Sequence, residues 1–285
     1  IIVGQAVGTS ALAAVGSTGN LTNLIVNFYV GLSTGASVVI AQYYGAQNNK
    51  KIYQAVHTSY ILAIVSGILM MLFGLFFSYQ CLDAIGTPHD ILNDATLYMQ
   101  LYFLCMIPGA IYNIGAGILR AVGDSKRPLY YLIVCSIVNV VFDFIFVVIF
   151  HQGIAGAAIA TVIAQSVCAI LVTIQLMRTN EVYKLTLSKM IFHLPVLKKI
   201  IMIGAPAGIQ STMYSISNIV LQSHINAFGT QTIASWSVYV KIDALFWMMI
   251  AAIGAAITTF AGQNYGAHLH DRIKKGTRTA LAMAF

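Results

Sequence analysis

Three ionisable side chains stand well inside long apolar runs: Asp143, Lys241 and Asp243. A charge at the centre of a membrane helix costs about 2.5–3.5 kcal/mol on insertion scales, so such residues usually face a cavity and serve a purpose. Asp143 has no basic residue in its own run, and Asn139 lies one helical turn before it on the same face. A carboxyl and an amide so placed can exchange a proton, or hold a small cation among their oxygens. Lys241 and Asp243 are two residues apart and do not face each other on a helix. Each either lines a cavity or pairs with another helix. Two polar stripes accompany these charges: Asn20, Asn23, Asn27 and Thr34 in one run, Ser211, Ser215, Asn218 and Gln222 in another. Their three-, four- and seven-residue steps put each stripe on one helix face, where it lines a cleft or bonds a neighbouring helix.

Enzyme chemistry is not expected. There is no H-E-x-x-H, G-x-S-x-G or phosphate-binding loop. Phe142-Asp143 and Val122-Gly123-Asp124 faintly resemble the acids of intramembrane aspartyl proteases, but Ala121 stands where their first Gly belongs. Asp124 also sits beside Ser125, Lys126 and Arg127 at a span edge, and two acids at different depths cannot share a proton. His57, His89, His193, His268 and His270 fall at or near loops, without acids or Cys in metal spacing. Cys81, Cys105, Cys135 and Cys168 form no C-x-x-C and suit packing. No cofactor or metal is expected.

The elements that must position these residues are membrane helices. Of 285 residues 59% are apolar and only 8% charged, with mean hydropathy +0.82. Seven apolar runs are long enough to span, at roughly 14–44, 55–80, 93–119, 130–150, 154–177, 199–226 and 231–261. Helices satisfy their own backbone groups in lipid. The 15 Lys and Arg cluster at Lys50–Lys51, Arg120–Arg127, Arg178–Lys199 and Arg272–Arg278, apart from Lys241, and the alternate connections hold none. That alternation puts the clusters in the cytoplasm and accounts for the net charge of +7 as a topology signal, not a nucleic-acid footprint. Residues 1–8 are expected to end one span and 276–285 to begin another, so the chain reads as a fragment.

The chain also repeats itself. Gly8–Ile64 aligns without a gap on Gly229–Phe285 at an offset of 221, most clearly where Gln42-Tyr43-Tyr44-Gly45-Ala46 meets Gln263-Asn264-Tyr265-Gly266-Ala267. An even number of spans separates the copies, so they share orientation, as parallel repeats do. Three parts follow: an N-terminal lobe over 1–178, a polar linker over 179–198 and a partial C-terminal lobe over 199–285.

Several blocks carry a family resemblance. Gly8-x-x-x-Leu12-Ala13-Ala14-Val15-Gly16, Gly31-Leu32-Ser33-x-Gly35 and Gln42-x-x-Gly45-Ala46 resemble the second helix of multidrug and toxic compound extrusion (MATE) transporters. Leu119 to Pro128 resembles the loop between that family's helices four and five. Asn139-x-x-x-Asp143 and Gly153-Ile154-Ala155-Gly156 through Thr161 resemble helices five and six, and Gly204-Ala205-Pro206-Ala207-Gly208 the start of helix seven. The pattern is closest to the prokaryotic DinF-like branch. The resemblance implies an all-α, polytopic, two-lobe helix bundle, lacking here most of helix one and helices ten to twelve. It implies an antiporter, driven by H+ or Na+, that exports amphipathic organic cations across the cell (inner) membrane as a monomer. It also implies that Asp143, Asn139 and Thr161, with Asn113 as a further member, handle the coupling ion. A lipid-linked oligosaccharide flippase of the related superfamily is the nearest alternative, ahead of a channel or an intramembrane enzyme. A flippase cavity should be basic to hold pyrophosphate, whereas the embedded charges here are two acids and one base.

Overall fold

The computed structural model describes residues 9–84, 87, 89–226 and 230–284. Among them all regular structure is helical: α1 (Thr9–Gly45), α2 (Asn49–Ala84), α3 (His89–Phe103), α4 (Met106–Ala121), α5 (Lys126–Asp143), a π turn (Phe144–Ile149), α6 (Gly153–Arg178), a 3-10 turn (Leu187–Lys189), α7 (Leu194–Asn226), α8 (Thr230–Gly266) and α9 (His270–Ala284). All seven expected spans are helical. Four helices among the described residues are long and apolar enough to cross a membrane, or five if α3 and α4 make one bent crossing. At 37 residues, α1 is about 55 Å long, well beyond a hydrocarbon core of about 30 Å. The expected end of a preceding span, residues 1–8, lies outside the described residues.

The apolar surface is turned outward. Leu69 and Phe76 of α2, Ile137 and Val140 of α5, and Leu245, Phe246 and Met248 of α8 are all exposed. Small residues fill much of the interior, among them Ala36, Ala55, Ala110, Ala158 and Ala164. Lipid rewards that distribution, because large side chains gain nothing by leaving it and small ones let helices approach.

Two features depart from a smooth seven-span reading. The expected run 93–119 is broken, and α3 and α4 meet at 44°. Pro108 lacks the N–H that would bond the Leu104 carbonyl, and its ring crowds that turn. The chain tightens there instead, with Leu104 N–H donating to Leu101 O at 3.1 Å and Cys105 N–H to Tyr102 O at 2.9 Å. The second departure is the π turn that follows Asp143, where Phe150 N–H reaches back five residues to Ile145 O at 2.9 Å. Such a wide turn re-aims side chains and recurs at functional sites.

The internal repeat holds bond by bond. At the end of α1, Ala46, Gln47 and Asn48 donate to Gln42, Tyr44 and Tyr43 at 3.0, 3.1 and 3.1 Å. At the end of α8, Ala267, His268 and Leu269 donate to Gln263, Tyr265 and Asn264 at 3.1, 3.1 and 2.8 Å. Gln47 and His268, again 221 apart, both take left-handed φ, 51° and 58°. The two stretches fold alike because the same Gln, Tyr and Gly close each helix.

The segment between α6 and α7 is docked. Tyr183, Leu185 and Val196 are buried in the core, and Leu185 N–H donates to Leu176 O at 2.8 Å. Thr186 N–H donates to His57 Nε2 at 3.1 Å, and His193 N–H to Thr58 Oγ1 at 3.2 Å. His57, expected near a loop, is instead almost fully buried in α2 with Nδ1 2.8 Å from Tyr53 O. Nδ1 therefore carries the proton, and a neutral imidazole accepts from the linker. His57→Leu would leave the half-buried Thr186 N–H without its acceptor, a cost of about 1–3 kcal/mol. Trypsin applied to inside-out membranes should then cut at Lys184 and Lys189 roughly tenfold faster or more, since cleavage follows the open population. His57→Gln, which keeps an acceptor, should restore much of the protection. Equal cleavage of wild type and His57→Leu would show that the histidine does not hold the linker.

Candidate functional site

α5 and α6 run antiparallel, joined by the turn at His151–Gln152, and meet in successive layers. Nearest the basic end, Cys168 Sγ donates to Tyr131 O at 3.3 Å, and Cys135 packs with Ala164 and Cys168. One turn on, Asn139 Nδ2 donates to Thr161 Oγ1 at 3.4 Å, while the Thr161 hydroxyl donates to Ala157 O at 2.9 Å. Asp143 follows, at the last turn of α5. Its Oδ1 is buried and has no hydrogen-bond partner, a state it shares with Ser59 Oγ and Thr87 Oγ1 among the described residues. Beyond Asp143, Gly156 packs against Phe146 of the π turn, so α6 closes tightly just past the acid. Structural acids are normally hydrogen-bonded when buried, because a bare carboxyl oxygen loses its solvation. Asp143 thus holds a buried oxygen without a donor, one helical turn from the Asn139 amide that bonds Thr161.

Asn113 stands apart from this group. Its amide donates to Gly109 O in its own helix at 2.8 Å, and its carbonyl accepts from Ser33 Oγ at 2.6 Å. The Ser33 bond, to the backbone carbonyl of Asn113, ties α4 to α1. Sequence reading missed the π turn after Asp143, because the widening of one backbone hydrogen bond leaves composition and period unchanged.

The two polar stripes come together across α1 and α7. Asn27 Nδ2 donates to Ser215 Oγ at 2.8 Å, Ser215 to Ser211 O at 3.2 Å and Ser211 to Ala207 O at 3.0 Å. Thr34 bonds back to Val30 O at 2.9 Å. Asn23 and Asn218, one turn further from the basic end, are exposed. The stripe is therefore interhelical glue at Asn27–Ser215 and open surface beyond it. Asp243 is half-buried. The side chains of Asn20, Gln222 and Lys241 lie outside the described residues.

Toward the basic end α1 is clamped between α7 and α8. A Cβ on Gly31 would overlap Gly208, and one on Gly35 would overlap Gly204. At the tip the repeat packs on itself: a Cβ on Gly45 would overlap the Gln263 carbonyl, and one on Gly266 the Gln42 carbonyl. Gln263 Nε2 also donates to Ala121 O at 2.8 Å, at the end of α4. The two halves are thus closed together at the basic end.

Residues 1–145 and 206–285 match the MatE family. The chain is 29% identical, over 98% of its length, to the probable multidrug resistance protein YoeA of Bacillus subtilis, of which it covers 62%. It superposes with TM-score 0.92 and 25% identity on a crystal structure of MATE in the bent conformation, covering 99% of this chain and 63% of that one. A multidrug resistance MATE family transporter of the MOP superfamily, solved in an outward-facing conformation, superposes with TM-score 0.90 and 25% identity, over 97% and 62%. The chain spans about three-fifths of the length of these relatives.

Proposed function

The chain belongs to the MatE family, and on that premise we propose that it is part of an ion-gradient-driven antiporter that exports amphipathic organic cations through the cell membrane. The observation that carries this reading is the buried, unpartnered Oδ1 of Asp143 beside the Asn139–Thr161 pair. H+ on the acid, or Na+ among the three oxygen-bearing side chains, would neutralise a charge that hydrocarbon opposes. Occupied and empty forms of the site then prefer different arrangements of the lobes, which links ion entry to cargo exit. The basic end would face the cytoplasm, so the closed α1–α7–α8 seam corresponds to a form shut on that side. Cargo would reach the cleft beyond Asn27 and Ser215, where Asn23 and Asn218 are exposed. The embedded acids Asp143 and Asp243 favour a cationic cargo, and no cofactor or chemical conversion is involved.

Cells expressing the full-length protein are expected to lose ethidium-type dyes faster than control cells. In proteoliposomes, export should follow one imposed gradient, H+ or Na+, and stop when it is dissipated. Dye loss equal to controls, together with movement of lipid-linked sugars in the same vesicles, would replace this reading with that of a flippase.

A further inference from the structure

Tyr43 lies in the last turns of α1, at the basic end, and is nearly buried. Lys51 Nζ stands 5.6 Å from its ring centroid and Lys199 Nζ 5.4 Å, so two ammonium groups share one ring. They arrive from different halves of the chain, Lys51 from the first turn of α2 and Lys199 from the second turn of α7. Lys50 and Lys198 stand beside them and are exposed.

Among the described residues no acid pairs with either lysine. Neither α1 nor α7 contains an acid, and the one acid of α2, Asp83, is at its opposite end. The ion pair found among the described residues, Arg127–Asp124 at 3.1 Å, involves neither lysine. Both lysines also sit near helix N-termini, whose unpaired N–H groups and dipoles already carry positive charge. A ring face stabilises a cation by about 0.5–1 kcal/mol at an exposed site, which does not offset two unpaired positive charges at two helix starts. Selection of positive loops explains why lysines lie at this end. It does not explain why two of them turn onto one ring across the seam between the halves. The repeat sharpens the point: position 264, the counterpart of Tyr43, is Asn, and Arg272, the counterpart of Lys51, lies over Phe260 at 6.0 Å instead. The pairing is thus particular to one side of the molecule.

We propose that Tyr43, Lys51 and Lys199 form a phosphate site for the headgroup of an anionic phospholipid, which clamps the two halves together at the basic end. A lipid fits better than a free anion because the ring lies where the apolar run of α1 ends, at the depth where tyrosines and headgroups meet. The two ammonium groups over the ring are the phosphate's partners, and the Tyr43 hydroxyl, which makes no hydrogen bond among the described contacts, can donate to a phosphate oxygen. Lipid binding rests on this geometry alone; only its effect on lobe motion rests on the antiport reading.

The test is native mass spectrometry of the full-length protein released from nanodiscs of phosphatidylcholine with or without phosphatidylglycerol. Wild type should retain phosphatidylglycerol in preference to phosphatidylcholine. Lys51→Gln with Lys199→Gln should weaken retention about thirtyfold, roughly fivefold for each lysine. Lys50→Gln with Lys198→Gln removes the same charge from the same helix ends and should change retention little. Lys51→Arg with Lys199→Arg should restore binding, which separates a lost site from a misfolded protein. Equal losses in the two glutamine pairs would reduce the site to diffuse attraction and overturn the proposal. So would competition by millimolar inorganic phosphate that empties the site of lipid. None of these readouts needs transport, so a failure here leaves the antiport reading untouched.

Discussion

Asp143→Asn in the full-length protein is expected to abolish gradient-driven export, by at least about a hundredfold, while membrane insertion and expression stay normal. The exchange keeps size and shape and removes only the ability to carry a charge or a proton. An insertion cost of about 2.5–3.5 kcal/mol for the ionised acid is the free-energy difference available to bias the lobes. A difference of that size shifts a two-state equilibrium by roughly a hundredfold, and the amide holds the site permanently neutral. Asn139→Ala and Thr161→Ala each remove one side of a 3.4 Å hydrogen bond and should weaken export less, by roughly fivefold for about 1 kcal/mol. Asp124→Asn is the matched control. That acid accepts from Arg127 N–H at 3.2 Å at the start of α5, a bond its amide oxygen can keep, and its ion pair with Arg127 is a surface one. Dye efflux from cells at matched expression is the measurement. Normal export by the Asp143→Asn protein would make the acid structural and move coupling to the second lobe, near Asp243.

Gly45→Ala combined with Gly266→Ala is expected to prevent closure at the basic end and so to stop the transport cycle. Each new methyl would meet a backbone carbonyl, Gln263 O for one and Gln42 O for the other, and a carbonyl inside a helix cannot swing away. Overpacking of this kind costs about 1–3 kcal/mol per site, so the closed form should lose roughly tenfold in population for each substitution. A cysteine introduced at Gln42, half-buried at this seam, should react with a thiol reagent on the cytoplasmic side faster in the double variant than in its parent. Gly254→Ala in α8 makes a fair control, since a methyl there meets open space. Unchanged reactivity and normal export would show that the repeated glycines are not what closes the seam.

The repeat and the helical runs were open to sequence reading because both depend on local chemistry. An uncharged run longer than about 20 residues has one stable form in lipid, a helix. The Gln-x-Tyr-Gly-Ala blocks end their helices alike because capping depends on neighbouring residues only. The expected Asn139 and Asp143 pairing rests on the helical period; Asn139 meets α6 at Thr161, and Asp143 follows one turn on with a buried oxygen.

What remained needed three dimensions. Whether a polar side chain in a span faces a cleft, a partner or its own backbone depends on where neighbouring helices stand. Asn113 turns to Gly109 O, Asn27 bonds Ser215, and Asn23 and Asn218 stay exposed, although all four are polar residues in apolar runs. The break before Pro108 and the π turn after Asp143 are adjustments of single hydrogen bonds, which leave composition and period unchanged. The role of His57, placed at or near a loop by the sequence, was not legible because its partner, the Thr186 N–H, is 129 residues away. The amino-acid order thus determined the helical runs and their internal repeat, since lipid and backbone hydrogen bonding act on each run by itself. Only the tertiary structure decided that Gly45 meets Gln263, that Asp143 lacks a donor and that two lysines share one tyrosine. Those facts belong to the packing of helices distant in the chain, where small residues set how closely two backbones approach.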